Sequence, residues 1–108
     1  MATLHVEVVT PESALWTGAA QAVTARTSLG EMTVLASHTP LVGDVLAGVV
    51  RVDADGSTVY VAVDGGYLQV GPDGEGNTRA VVLAGVAQIA DSEAKARDLL
   101  ASLVSDPA

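Results

Sequence analysis

Cysteine is absent from this 108-residue chain. That excludes disulfides, thiolate zinc sites and thiol nucleophiles, and permits a reducing compartment. Cations are scarce, with 5 Lys and Arg against 13 Asp and Glu and a net charge of -8. Nucleic acid is excluded as a partner, because its binding needs clustered cations to displace counterions. Adsorption on anionic lipid needs polybasic segments that are missing here. No apolar run reaches the ~18 residues of a spanning helix, so direct membrane insertion is not expected. No basic stretch precedes a long apolar run at the N-terminus, so no secretory signal is expected and the chain reads as soluble and cytoplasmic. Aromatics make up only 3 %. Hydrophobic residues nevertheless reach 49 %, so the core is expected to be built from Val, Leu and Ala, which pack well between pleated sheets.

What is present is organised around residues 30–50, apolar runs interrupted by Gly30-Glu31, Ser37-His38-Thr39-Pro40 and Ala47-Gly48. Each interruption suits a backbone reversal, because Gly tolerates positive φ and Pro fixes φ. An acid before the first run and a His beside a Pro after it suggest one rim shared by Glu31 and His38. Strands are expected at 3–9, 14–18, 20–27, 32–35, 41–45, 49–52, 58–63, 67–70 and 78–83. Leu4, Val6 and Val8 alternate with His5 and Glu7 in the first. Trp16 is expected to pack on the core or cap an edge. Asp55-Gly56 marks a hairpin and Gly65-Gly66 a tight turn. Strands recurring about every 8–12 residues, apolar on both faces, predict a mainly β fold, a two-sheet antiparallel β-sandwich followed by a short C-terminal α-helix. The boundaries expected are a sandwich over 1–85 and a helical segment over 86–108.

After Gly85 the apolar period changes. Asp91-Ser92-Glu93 supplies a cap and an acidic first turn. Ala96, Leu99, Leu100, Leu103 and Val104 then share one helical face, with Pro107 as the stop. Asp91 with Lys95 and Glu93 with Arg97 form i,i+4 pairs worth about 0.2–0.5 kcal/mol each. A helix this short is marginal alone, so its leucines must lie on the sandwich or on a partner.

Candidate chemistry is thin. His5, on the polar face of the first strand, reads as a surface residue, and His38 as a local hydrogen-bonding residue. Asp73, Glu75 and Asn77 only loosely resemble a calcium loop, since the distal bidentate acid is missing. No catalytic residue, metal site or cofactor is expected.

Several stretches together resemble the epsilon subunit of the F-type ATP synthase: Leu4-His5-Val6-Glu7-Val8-Val9-Thr10-Pro11, Gly30-Glu31-Met32-Thr33-Val34-Leu35, Ser37-His38-Thr39-Pro40-Leu41-Val42, Gly48-Val49-Val50-Arg51-Val52, and Asp64-Gly65-Gly66-Tyr67-Leu68-Gln69-Val70. They cover about residues 2 to 97. The resemblance implies a non-catalytic, peripheral subunit at the cytoplasmic face of the cell membrane, in the rotating central stalk of a proton-translocating synthase. It implies that Glu31, His38, Thr39 and Pro40 face the polar loops of the c-ring. It places Thr10, Leu41, Val42 and Gly43 toward the gamma subunit, with the catalytic alpha/beta head as a further partner. Family members usually carry two C-terminal helices that can block ATP hydrolysis, and here one is expected, implying reduced or absent inhibition. Ile89-Ala90-Asp91-Ser92-Glu93-Ala94 lacks the Arg of the family's ATP-binding pattern, so weak or no ATP binding is expected. The rival readings are a free-standing sandwich binding calcium or a sugar, and a small metal-dependent enzyme using His5 and His38.

Overall fold

A computed structural model describes residues 3–104. Ten strands precede one helix: β1 Leu4–Val9, β2 Ala14–Ala20, β3 Ala22–Thr27, β4 Gly30–Leu35, β5 Leu41–Val45, β6 Gly48–Ala54, β7 Ser57–Val63, β8 Gly66–Pro72, β9 Thr78–Ala84, β10 Ala87–Ala90 and α1 Glu93–Val104. They pair as two five-stranded halves, β4-β3-β6-β7-β10 and β5-β8-β9-β1-β2. The halves are stitched by a single register pair, Thr27 with Val45. The expected two-sheet architecture is therefore observed, with one correction. The pairing is not wholly antiparallel, because β1 lies parallel to β9 from Leu4↔Thr78 to Val9↔Leu83. The first strand is inserted between β9 and β2, a long-range pairing that no local turn can specify.

The alternation that predicted the strands is the burial pattern. Leu4, Val6 and Val8 are buried while His5 is exposed. The largest fully buried side chains are Leu4, Leu68 and a set of valines from both halves, among them Val23, Val34, Val50, Val61 and Val82. Trp16 packs partly buried against this core from the edge strand β2, its ring 3.3 Å from where a Cβ on Gly18 would stand.

Two departures from expectation bear on the pairing. Gln21 separates β2 from β3, its N–H donating to Asp53 O at 2.7 Å. Residues 87–90, expected to lead into the helix, form β10, running antiparallel to β7 from Ala87↔Val63 to Ala90↔Tyr60. Ala-Gln-Ile-Ala is too short to announce a strand and is made one by the open edge of β7.

The helix begins as expected. Ser92 Oγ accepts the Lys95 N–H at 3.2 Å, and its carbonyl accepts Ala96 N–H at 3.0 Å, an N-cap. Asp91–Lys95 stand at 3.7 Å and Glu93–Arg97 at 2.5 Å. Ala96 is fully buried where α1 lies on β7, β10 and β6. Leu99, Leu100 and Leu103 are half-buried. Pro107 lies outside the described residues.

Candidate interaction faces

Glu31 and His38 do not share a rim. Glu31 is the second residue of β4, in register with Arg26. His38 follows the other end of that strand. Four extended residues from Glu31 to Leu35 span roughly 13 Å, so the spacing that looked like one loop after another in sequence becomes the length of a strand. Glu31 faces a depression of about 630 Å³ between α1 and the outer surface of the first half, lined also by Arg26, Arg51, Tyr60, Arg97 and Leu100. Two of its arginines are committed to acids: Arg51 Nε to Asp53 at 3.0 Å and Arg97 to Glu93. The Asp53 hydrogen bond pushes the Arg51 guanidinium above its ordinary pKa.

Beside Glu31 the turn at 28–29 is built rigidly. The buried Thr27 hydroxyl donates to Gly30 O at 2.7 Å and accepts Leu29 N–H at 3.1 Å. Ser28 Oγ donates to Asp44 Oδ1 at 2.6 Å. The result is a fixed apolar tip, Leu29, 92 % exposed. Sequence reasoning missed it because one Leu in a turn carries no periodic signal.

His38, Thr39 and Pro40 sit in the β4–β5 connection. The His38 ring Nδ1–H donates to Thr39 O at 2.7 Å, the local role expected of it. His5 Nε2 pairs with Thr17 Oγ1 at 3.2 Å across β1 and β2. Among the described residues no three His, Cys, Asp or Glu side chains gather as a metal site. The 71–77 loop is gathered around Asp73. Asp73 Oδ1 accepts Glu75 N–H at 2.7 Å and Asn77 N–H at 3.0 Å, and these bonds, the Glu75 amide foremost, hold its carboxyl below the usual range.

Thr10 closes the β1–β2 turn, its N–H donating to Ser13 O at 2.9 Å. It stands beyond the Val9 end of β1, three strands away from β5, so Thr10 and Leu41-Val42-Gly43 do not form one cluster. Strand alternation also divides the β5 residues. Leu41 packs against the core and Gly43 pairs with the buried Leu68. Val42 faces out at 72 % exposure. Its diagonal neighbour is Tyr67, since Val42↔Gln69 and Asp44↔Tyr67 are in register, and diagonal pairs remain within reach of aromatic side chains. Tyr67 stands directly opposite Leu83, which is in register with Val9. Tyr67 and Leu83 are 60 % and 42 % exposed. An apolar stripe thus crosses the outer face of the second half, and its members became neighbours only through register. Toward the other end of that face Arg79 Nε meets Glu7 at 2.6 Å, which raises the Arg79 pKa.

A family profile described as "ATP synthase, Delta/Epsilon chain, beta-sandwich domain" matches residues 3–90. The chain belongs to the ATP synthase delta/epsilon family. Within it, the chain is 41 % identical to an ATP synthase epsilon chain of Micrococcus luteus over 95 residues, 87 % of this chain and 99 % of that protein. It is 36 % identical to the epsilon chain of Bacillus velezensis over 101 residues, 94 % of this chain and 73 % of the relative. For Priestia megaterium the figures are 37 % over 91 residues, 84 % of this chain and 64 % of the relative. The chain thus spans just under two thirds of the Priestia epsilon chain and nearly all of the Micrococcus one. In fold it resembles a chain of the Euglena gracilis mitochondrial ATP synthase OSCP/F1/c-ring assembly, with TM-score 0.70 and 24 % identity, covering 92 % of this chain and 62 % of that one. A chain of the Tetrahymena thermophila mitochondrial ATP synthase central stalk/c-ring matches with TM-score 0.58 and 14 % identity, over 82 % and 66 % of the two chains.

Proposed function

We propose that this chain is a central-stalk rotor subunit of a proton-translocating F-type ATP synthase, joining the gamma subunit to the c-ring at the cytoplasmic face of the membrane without catalysing a reaction. The observation that carries the reading is the family match over the whole sandwich, joined to the exposed stripe of Val42, Tyr67 and Leu83 on one outer face. An apolar stripe of this kind marks a protein contact, and gamma is its partner in this reading. Val42 is the centre of that contact, Leu41 and Gly43 support it from the inner side of β5, and Thr10 extends it at the end of β1.

The c-ring contact is assigned to Glu31, with Leu29 beside it, and to the His38-Thr39-Pro40 loop. β4 pairs only with β3, so its free edge joins these two places into one flank. A close-packed valine core deforms little, which suits a part that passes torque between neighbours. With Ala96 buried against the sheet, α1 serves as a staple, and inhibition of ATP hydrolysis by helix extension is reduced or absent. Ile89-Ala90-Asp91-Ser92-Glu93-Ala94 lacks the Arg of the family's ATP-binding pattern, and the negative charge of Glu93 nearby, paired with Arg97, opposes a phosphate, so ATP binding is weak or absent.

The test is recovery of partners. Tagged chain, extracted from membranes in mild detergent, is expected to bring down gamma and the c-ring. Val42→Asp places a charge in the stripe and is expected to lose gamma while melting within a few degrees of wild type. Failure of the wild-type chain to recover gamma overturns the reading.

A further inference from the structure

We infer that Ser37 and Thr78 are positioning residues that hold the 36–40 loop in its contact shape before any partner arrives. The inference rests on the reading of that loop as a rotor contact.

The loop opens with a four-residue turn closed by His38 N–H to Leu35 O at 3.2 Å. Its third residue, Ser37, has φ 69°, and among the described residues no other non-glycine has positive φ. Glycine adopts that conformation without steric cost, whereas a residue with a Cβ does so only when its surroundings over-determine it. The surroundings here are specific. The Ser37 N–H donates to Thr78 Oγ1 at 2.7 Å, across 41 residues of sequence. Thr78 is itself buried, at 5 % exposure, and its own N–H donates to Thr3 O at 2.9 Å. Asn77 Oδ1 accepts both the N–H and the hydroxyl of Thr3, at 3.0 and 2.9 Å. Asp73 Oδ1 in turn accepts the Asn77 backbone N–H. Three separate stretches, around Thr3, 36–40 and 73–78, are thereby tied into one rim.

A glycine at position 37 would make the same turn with less strain and would leave the free loop more conformations. Serine narrows those conformations, and the Thr78 hydroxyl selects the left-handed one. The exposed Thr39 and Pro40 are then presented already ordered. A contact whose competent shape is always populated loses no apparent affinity to the fraction of unready states.

The test is rebinding of purified chain to synthase-bearing membranes stripped of this subunit, with thermal melting measured in parallel. Thr78→Val is expected to weaken rebinding about tenfold, and Thr78→Ser, which keeps the hydroxyl, to return it to within about twofold. Ser37→Gly is expected to melt at or above the wild-type temperature and still rebind several-fold more weakly, an uncoupling that a purely structural role does not produce. Ser37→Gly also carries the test if Thr78→Val fails to fold. His38→Ala and Thr39→Ala separate the two levels. If both alanine variants weaken rebinding while Ser37→Gly and Thr78→Val do not, the contact reading stands and the positioning roles fall. If neither alanine variant has an effect, the loop is not a contact and both fall.

Discussion

Gly66→Ala is the substitution the structure opposes most sharply. Gly66 opens β8 with φ 155°, and a Cβ built there would lie 1.8 Å from the Leu83 carbonyl oxygen. Contacts under 3.0 Å are essentially never seen for a real Cβ, so the backbone must give by more than 1 Å. Neither neighbour is free to move, because Gly66 pairs with Ala84 on one side and Val45 on the other. Forcing a non-glycine residue into this region costs about 1–3 kcal/mol. Loosening two ladder hydrogen bonds adds about 1 kcal/mol each. The sum, about 3–5 kcal/mol, is a large share of the ~5–15 kcal/mol that holds a domain of this size folded. At roughly 4–6 °C per kcal/mol it lowers the melting temperature by roughly 12–30 °C. Gly56→Ala is the control. Gly56 also has positive φ, 77°, but nothing stands within 4 Å of its missing Cβ, so only the backbone term of about 1–2 kcal/mol applies. Thermal unfolding by circular dichroism compares the two directly. If the variants melt within about 5 °C of each other, the clash with the Leu83 carbonyl is not what requires glycine at 66.

Leu68→Ala empties a fully buried site and is expected to cost about 2–5 kcal/mol, read from urea unfolding. Asp73 has a folded-state pKa depressed below 3.8 by its amide hydrogen bonds. Its contribution to stability is therefore present above the unfolded value and lost as pH falls through the folded one. Melting temperature measured from pH 5 down to 2 should fall less steeply in Asp73→Asn, which keeps an acceptor but does not titrate. Titration with calcium should leave the melting temperature unchanged, because Asp73 Oδ1 and Asn77 Oδ1 are already committed to backbone and side-chain donors, and a rise would favour the ligand-binding sandwich. Calorimetry with ATP should show no submicromolar binding.

The amino-acid order by itself determined what depends on neighbours a few residues away. Two-residue alternation set which side of β1 is buried. Asp55-Gly56 set a hairpin, and Ser92 with the i,i+4 pairs set where the helix starts. These features are local because a side chain's face and a turn's dihedral angles are fixed within one strand or one reversal. Tertiary structure alone decided which strands lie side by side beyond such hairpins. It inserted β1 parallel to β9, turned residues 87–90 into a strand on the edge of β7, and set Glu31 and His38 at the two ends of β4. It also assembled Val42, Tyr67 and Leu83 from three strands and joined Thr78 to Ser37. Such pairings join residues tens of positions apart. The free energy that selects among them comes from closing the whole core at once, a sum to which no short stretch of sequence carries the answer.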